Sequence, residues 1–95
     1  MIRGFRDKRA QAIWNGARVP RFPAQLQGVA RRKLRMLNAA QSLADLKIPP
    51  ANRLEALKGD RRGQYSIRIN DQWRLCFTWK NSDADDVEIV DYHKG

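Results

Sequence analysis

Between Gln64 and Trp79 apolar and polar residues alternate with period two on both sides of a short polar break. Tyr65, Ile67 and Ile69 fall on one face, and Ser66, Arg68 and Asn70 on the other. After Asn70-Asp71-Gln72, residues Trp73, Leu75, Phe77 and Trp79 share a face while Arg74, Cys76 and Thr78 point away. Successive strand side chains project to opposite sides, and β-branched and aromatic residues suit a pleated surface, so the pattern predicts an antiparallel hairpin. One of its faces is a wall of large apolar groups that another part of the chain must cover. The other carries Arg68 and Arg74, two permanent cations on a stiff ribbon.

The preceding residues supply the cover. Ile2-Arg3-Gly4-Phe5 predicts a short first strand, and Asp7 a helix N-cap whose carboxylate accepts from first-turn amides. Ala10, Ile13, Trp14 and Ala17 recur at helical spacing and Gly16 supplies a stop, giving a helix of about three turns. Val19–Pro23 is a connector, with Pro23 suited to the first turn of the next helix. From Ala24 to Ser42, Leu26, Val29, Ala30, Leu34, Leu37 and Ala40 form one stripe, the mark of an amphipathic helix. Arg31, Arg32 and Arg35 lie off it, on a face that is either solvated or offered to nucleic acid or an acidic partner.

Pro49-Pro50 ends the helical run, and Asn52–Leu57 is a strand or an irregular edge. Residues 58–63, KGDRRG, form a cationic loop leading into the hairpin. A polar turn at Lys80–Asp85 precedes a last strand, Val87–His93, with Glu88, Val90 and Tyr92 on the side opposite Val87 and Ile89. The order β-α-α-β-β-β predicts a single α+β domain over residues 1–95, with two helices packed on one face of an antiparallel sheet. Arg68 and Arg74 are left on the other face.

Composition sharpens this picture at a few points. With 95 residues, 42% of them hydrophobic, the chain can bury one modest core, and wholesale disorder is excluded. Nineteen Lys and Arg against ten Asp and Glu give a net charge of +9, which points to a phosphate-bearing partner. Ten of those cations lie in residues 1–35 against Asp7 alone, whereas residues 64–95 hold four against six acids. Arginines in that second region need a local explanation.

One His and one Cys cannot build a familiar zinc site, and Cys76 is read as a packing residue. Asp83, Asp85 and Asp86 are read as a solvated turn, and the glycines of the KGDRRG loop do not form a P-loop. No metal or other cofactor is expected. The chain shows neither a signal-peptide core nor an apolar run of membrane-spanning length, so a soluble cytoplasmic protein is expected.

The remaining constellation is Asp91-Tyr92-His93 at the end of the last strand, with Arg74 on its neighbour and Lys58 before the sheet. Strand parity puts Asp91 and His93 on one face and Tyr92 on the other. His93 is the side chain that titrates near neutral pH, though a lone histidine near a terminus is usually an ordinary exposed residue. On these residues alone the chain is a basic α+β nucleic-acid binder. Catalysis, simple binding of RNA or DNA, and action through a protein partner all stay open.

The run NRLEALKGDRRGQYSIRINDQWRLCFTW followed by VEIVDYH resembles the HigB toxins of the RelE superfamily, the plasmid-maintenance killer proteins. The resemblance extends over essentially the whole chain. It implies a toxin of a type II toxin–antitoxin system, a ribosome-dependent and metal-independent mRNA endoribonuclease that inhibits translation. It further implies an antitoxin carrying a helix-turn-helix domain, through which operator DNA is met indirectly. Matched by position, the family's site residues are Lys58, Arg74, Asp91, Tyr92 and His93. Arg61, Arg62 and Arg68, with Arg31, Arg32 and Arg35, are the candidates for RNA and ribosome contacts. Where some members carry a histidine before LKGD this chain has Glu55, either a substitute carboxylate base or a surface residue.

Overall fold

The computed structural model describes residues 1–92, so His93 lies outside the described residues. Helix α1 (Lys8–Trp14) and helix α2 (Ala24–Ala39) precede strands β1 (Glu55–Ala56), β2 (Gln64–Arg68), β3 (Trp73–Lys80) and β4 (Asp83–Asp91). The strands form one antiparallel meander in the order β1-β2-β3-β4. Among the described residues no helix is long and apolar enough to cross a membrane.

The hairpin forms in the register that alternation demands. Tyr65 pairs with Phe77, Ile67 with Leu75, and Arg68 with Arg74. Ile67, Leu75 and Phe77 are fully buried with Val87 and Ile89 beneath Ile13, Ala30, Leu34 and Leu37 of the helices. Each such large side chain contributes about 1.5–3 kcal/mol on burial, so a one-residue slip, which would turn this whole set to the other face, is strongly disfavoured.

Asp7 caps α1 as expected, accepting from Arg9 N at 2.9 Å, and its second oxygen accepts from Ile89 N at 3.0 Å. One carboxylate thereby fixes both the start of the helix and its place on β4. The helix is two turns rather than three, and it stops where Gly16 takes φ 87°. Helix α2 also ends sooner than the apolar stripe, at Ala39. Asp45 Oδ2 accepts from the amides of Gln41 and Ser42 and draws the chain into a 3-10 turn, Leu43–Lys47.

Three further differences have local causes. The expected first strand is reduced to two parallel bridges on the outer edge of β4, Ile2 to Ala84 and Phe5 to Val87. They flank a bulge in which Asp86 takes φ 50° and the β3–β4 register shifts between Cys76 and Thr78. Gly4 passes so close to this bulge that a Cβ there would lie 2.6 Å from Asp85 Oδ1. Strand β4 begins at Asp83, four residues before the expected Val87, because Asn81 and Ser82 both adopt positive φ and close a two-residue turn. The ambiguous Asn52–Leu57 segment is a short edge strand, Glu55 pairing with Ser66 and Ala56 with Tyr65.

The sheet face away from the helices is not bare. Ser66, Arg74 and Cys76 on it are buried, because Tyr92 and the chain around Arg53 lie across them.

Candidate active site

Pairing of β2 with β3 sets Arg68 directly opposite Arg74. Like charges in that position repel, and the two guanidinium groups are resolved by separate partners. Arg68 turns toward the hairpin bend and pairs with the exposed Asp71. Arg74 turns the other way, with only 8% of its surface exposed. Its Nε donates to Ser66 Oγ at 2.8 Å, and its Nη2 donates to the Arg53 carbonyl at 2.5 Å and the Ser66 carbonyl at 3.4 Å. The same Nη2 lies 3.1 Å from Glu55 Oε1. A buried cation is tolerated only when hydrogen-bonded and paired, and here every hydrogen-bonding partner but Glu55 is a backbone carbonyl or a fully buried hydroxyl. The Glu55 side chain is 58% exposed. It is therefore the partner that an incoming anion can displace.

Tyr92 completes this side. Its amide donates to the Gln72 carbonyl at 2.6 Å, which carries the chain past the end of β4 along the hairpin bend. Arg74 Cζ lies 5.8 Å from the Tyr92 ring centroid, within reach of a cation–π contact. The Tyr92 hydroxyl is 3.9 Å from Cys76 Sγ. Burial pushes the Tyr92 hydroxyl up from its ordinary value, with the neighbouring Cys76 adding to the effect, and burial likewise raises the Cys76 thiol. Both groups stay protonated at neutral pH, so Tyr92 is available as a donor or a stacking surface.

Together Arg53, Glu55, Arg68, Asn70, Asp71, Arg74 and Tyr92 line an open cavity of about 290 Å³. The guanidinium groups of Arg68 and Arg74, a carboxylate beside the more buried of them and an aromatic ring suit a phosphate diester with its attached base. Among the described residues no three His, Cys, Asp or Glu side chains are grouped to hold a metal ion.

The other expected site residues are distributed as follows. Asp91 pairs with Trp73 and accepts from Gln72 Nε2 at 3.1 Å, so strand parity directs it to the face opposite Arg74. Lys58 is exposed in the loop after β1 and does not line the cavity. Arg61 shares the sheet face of Arg74 but bonds Glu88 Oε2 and Gln64 Oε1, each at 2.9 Å, in a neighbouring cavity of about 360 Å³. The bond to Glu88 holds the Arg61 guanidinium above its ordinary range. Arg62, Arg32 and Arg35 are exposed. Arg31 is engaged in the fold, its Nε donating to the Ile13 carbonyl at 3.1 Å near the end of α1.

Sequence reasoning missed Ser66 and the Arg53 carbonyl. Ser66 had a signal, since it alternates onto the arginine face, but a backbone carbonyl arriving from another segment has none.

Two helices ahead of an antiparallel meander, with a guanidinium-lined cavity on the far face, define an α+β domain. The fold is shared with the crystal structure of YafQ from E. coli strain BL21(DE3), at a TM-score of 0.63 and 9% identity, covering 97% of this chain and 92% of that one. The family model described as RelE-like toxin of type II toxin-antitoxin system HigB matches residues 3–93, and the chain belongs to this family. It is 40% identical over 91 residues to Toxin HigB-1 of Vibrio cholerae serotype O1, covering 95% of both chains. It is 30% identical over 93 residues to Endoribonuclease HigB of Proteus vulgaris, covering 98% of this chain and all of that one. A toxin of this type has an antitoxin as its partner, as the family description implies.

Proposed function

We propose that this toxin is an endoribonuclease that cuts mRNA on the ribosome without a metal ion and so halts translation. The observation that carries the reading is Arg74, a nearly buried guanidinium held by Ser66 and the Arg53 carbonyl at a cavity that also holds Glu55 and Tyr92. The relative named Endoribonuclease HigB supports the activity.

In this mechanism a carboxylate takes the proton from the 2′-OH and the 2′ oxygen attacks phosphorus. The bond to the 5′ oxygen breaks, that oxygen gains a proton, and a 2′,3′-cyclic phosphate remains. Arg74 stabilises the charge that builds on the phosphoryl oxygens, a task for a fixed donor in a partly dry site. Of the candidate bases, Glu55 has its carboxylate on the cavity beside that guanidinium, and it takes the proton. His93, next in the chain after Tyr92, supplies the proton to the 5′ oxygen, and Tyr92 stacks on or bonds to the substrate. Asp91, on the opposite face of the sheet, orients the tail from behind. Lys58, Arg61, Arg62, Arg32 and Arg35 serve RNA and ribosome contacts from outside the cavity. The antitoxin carries the helix-turn-helix domain that links the pair to operator DNA.

The test is to incubate the purified protein with an mRNA engaged on ribosomes and with the same mRNA free. Cleavage of the engaged RNA to cyclic-phosphate ends, with free RNA intact, is expected. Binding of both RNAs with no cut in either would leave a non-catalytic RNA-binding module instead.

A further inference from the structure

The carbonyl that grips Arg74 comes from a constrained piece of backbone. Arg53 sits at φ 46° and ψ 57°, a left-handed conformation in which a side chain bearing a Cβ is strained. Just before it, Asn52 closes the 3-10 turn Pro50–Asn52 and is fully buried. The amides of Asn52 and Arg53 donate to the carbonyls of Pro49 and Pro50, each at 3.0 Å. The Asn52 side chain donates from Nδ2 to the Leu46 carbonyl and to Met36 Sδ, each at 3.0 Å, and accepts at Oδ1 from Lys33 Nζ at 2.5 Å. A buried amide is costly unless its hydrogen bonds are met. This one meets them on α2, on the Leu43–Lys47 turn and nowhere in the cavity. It does nothing for substrate directly, yet it stands one residue from the carbonyl that decides where Arg74 points.

We propose that Asn52 is a positioning residue for RNA cleavage, clamping the turn so that Arg53 stays left-handed and its carbonyl stays aimed at Arg74 Nη2. The inference rests on the reading of Arg74 as the cation that meets the scissile phosphate. With Nε committed to Ser66 and Nη2 to Arg53, the guanidinium plane is fixed before substrate arrives, and no binding energy is spent on orienting it. Lys33 extends the clamp to α2. Burial, with Arg32 and Arg68 nearby, holds its ammonium below the ordinary lysine range, and Asn52 Oδ1 tethers it.

The test measures kcat and KM on ribosome-engaged mRNA for the wild type, N52A, R74A and the N52A/R74A double variant, with thermal melts of each. N52A is expected to lower kcat 10–100-fold with KM within about threefold, and the double variant to be no slower than R74A alone, because residues acting as one unit are not additive. A second pair guards against a misfolded N52A. Glycine accepts positive φ and valine resists it, so R53V is expected at least tenfold below R53G in kcat. Wild-type kcat in N52A, multiplicative losses in the double variant, or equal rates for R53V and R53G would overturn the proposal. In each of those results the wild type still cuts at full rate and R74A is still impaired. A wild type that cuts nothing would instead sink the nuclease reading, and the positioning role with it.

Discussion

Arg68 and Arg74 occupy directly opposed positions on adjacent strands, yet one is a half-exposed partner of Asp71 and the other is buried against Ser66, Arg53 and Glu55. Repulsion across the ladder sends them apart, and the divergence produces the cavity. Its most constrained cation lies at the inner wall and its more exposed one at the rim. A charge fixed where phosphate will sit is worth more than one that must be gathered on binding.

Lysine at position 74 keeps the charge but loses the fork. R74K is expected to lower kcat on ribosome-engaged mRNA about 100-fold, and R74A to lower it about 100- to 1,000-fold, the range seen when one preorganised charge-stabilising donor is removed. Single-turnover cleavage measures this directly. R74K at wild-type rate would show that position 74 supplies only unspecific attraction.

Glu55 is expected to act as a base and not merely as a counterion. E55Q keeps the size and a hydrogen-bond acceptor, so RNA affinity is expected to hold or rise while kcat falls about 100-fold or more. An unchanged kcat in E55Q would return Glu55 to the surface residues.

Asp7 tests the fold separately from the site. D7A leaves the amides of Arg9 and Ile89 without their acceptor and is expected to cost about 1–3 kcal/mol in urea unfolding. Any activity deficit should vanish when the folded fraction is matched. An unchanged midpoint would mean that water replaces the carboxylate without loss.

The N-terminal segment should loosen in acid. The hydrogen bond from Arg3, 2.9 Å from Asp83 Oδ2, is the main cause that holds this carboxyl below the ordinary range, and the amino terminus adds to it. A group whose folded value is depressed stabilises the fold above its unfolded value and loses that contribution as pH falls through the folded one. Amide exchange at Arg3 and Ala84 should therefore quicken as pH falls below about 4, once corrected for intrinsic rates. R3A should remove that extra dependence. The same dependence in R3A would assign the acid step to another carboxylate.

Much of the architecture was legible because it depends on short-range periodicity. The hairpin register, the Asp7 cap, the α2 stripe and the placing of Tyr92 opposite Asp91 follow from alternation and helical spacing. The start of β4 was not, since Asn81 and Ser82 carry no glycine to announce a two-residue turn. The first strand was over-read because a bulge at Asp86 breaks the edge it runs along. In the site, Arg74 and Tyr92 were visible as letters alternating onto one face of the sheet. The side chains and the carbonyl that aim Arg74 were not. Asn52 reads as a loop residue after two prolines, and only the packing of α2 and the Leu43–Lys47 turn around it makes it a core residue.

The most direct test maps transcript ends in cells after induction without antitoxin, comparing the wild type with R74A at equal protein level. Growth arrest with new ends inside translated regions is expected for the wild type, and neither for R74A. Arrest by the wild type with transcripts left whole, or the same ends in R74A, would contradict the account.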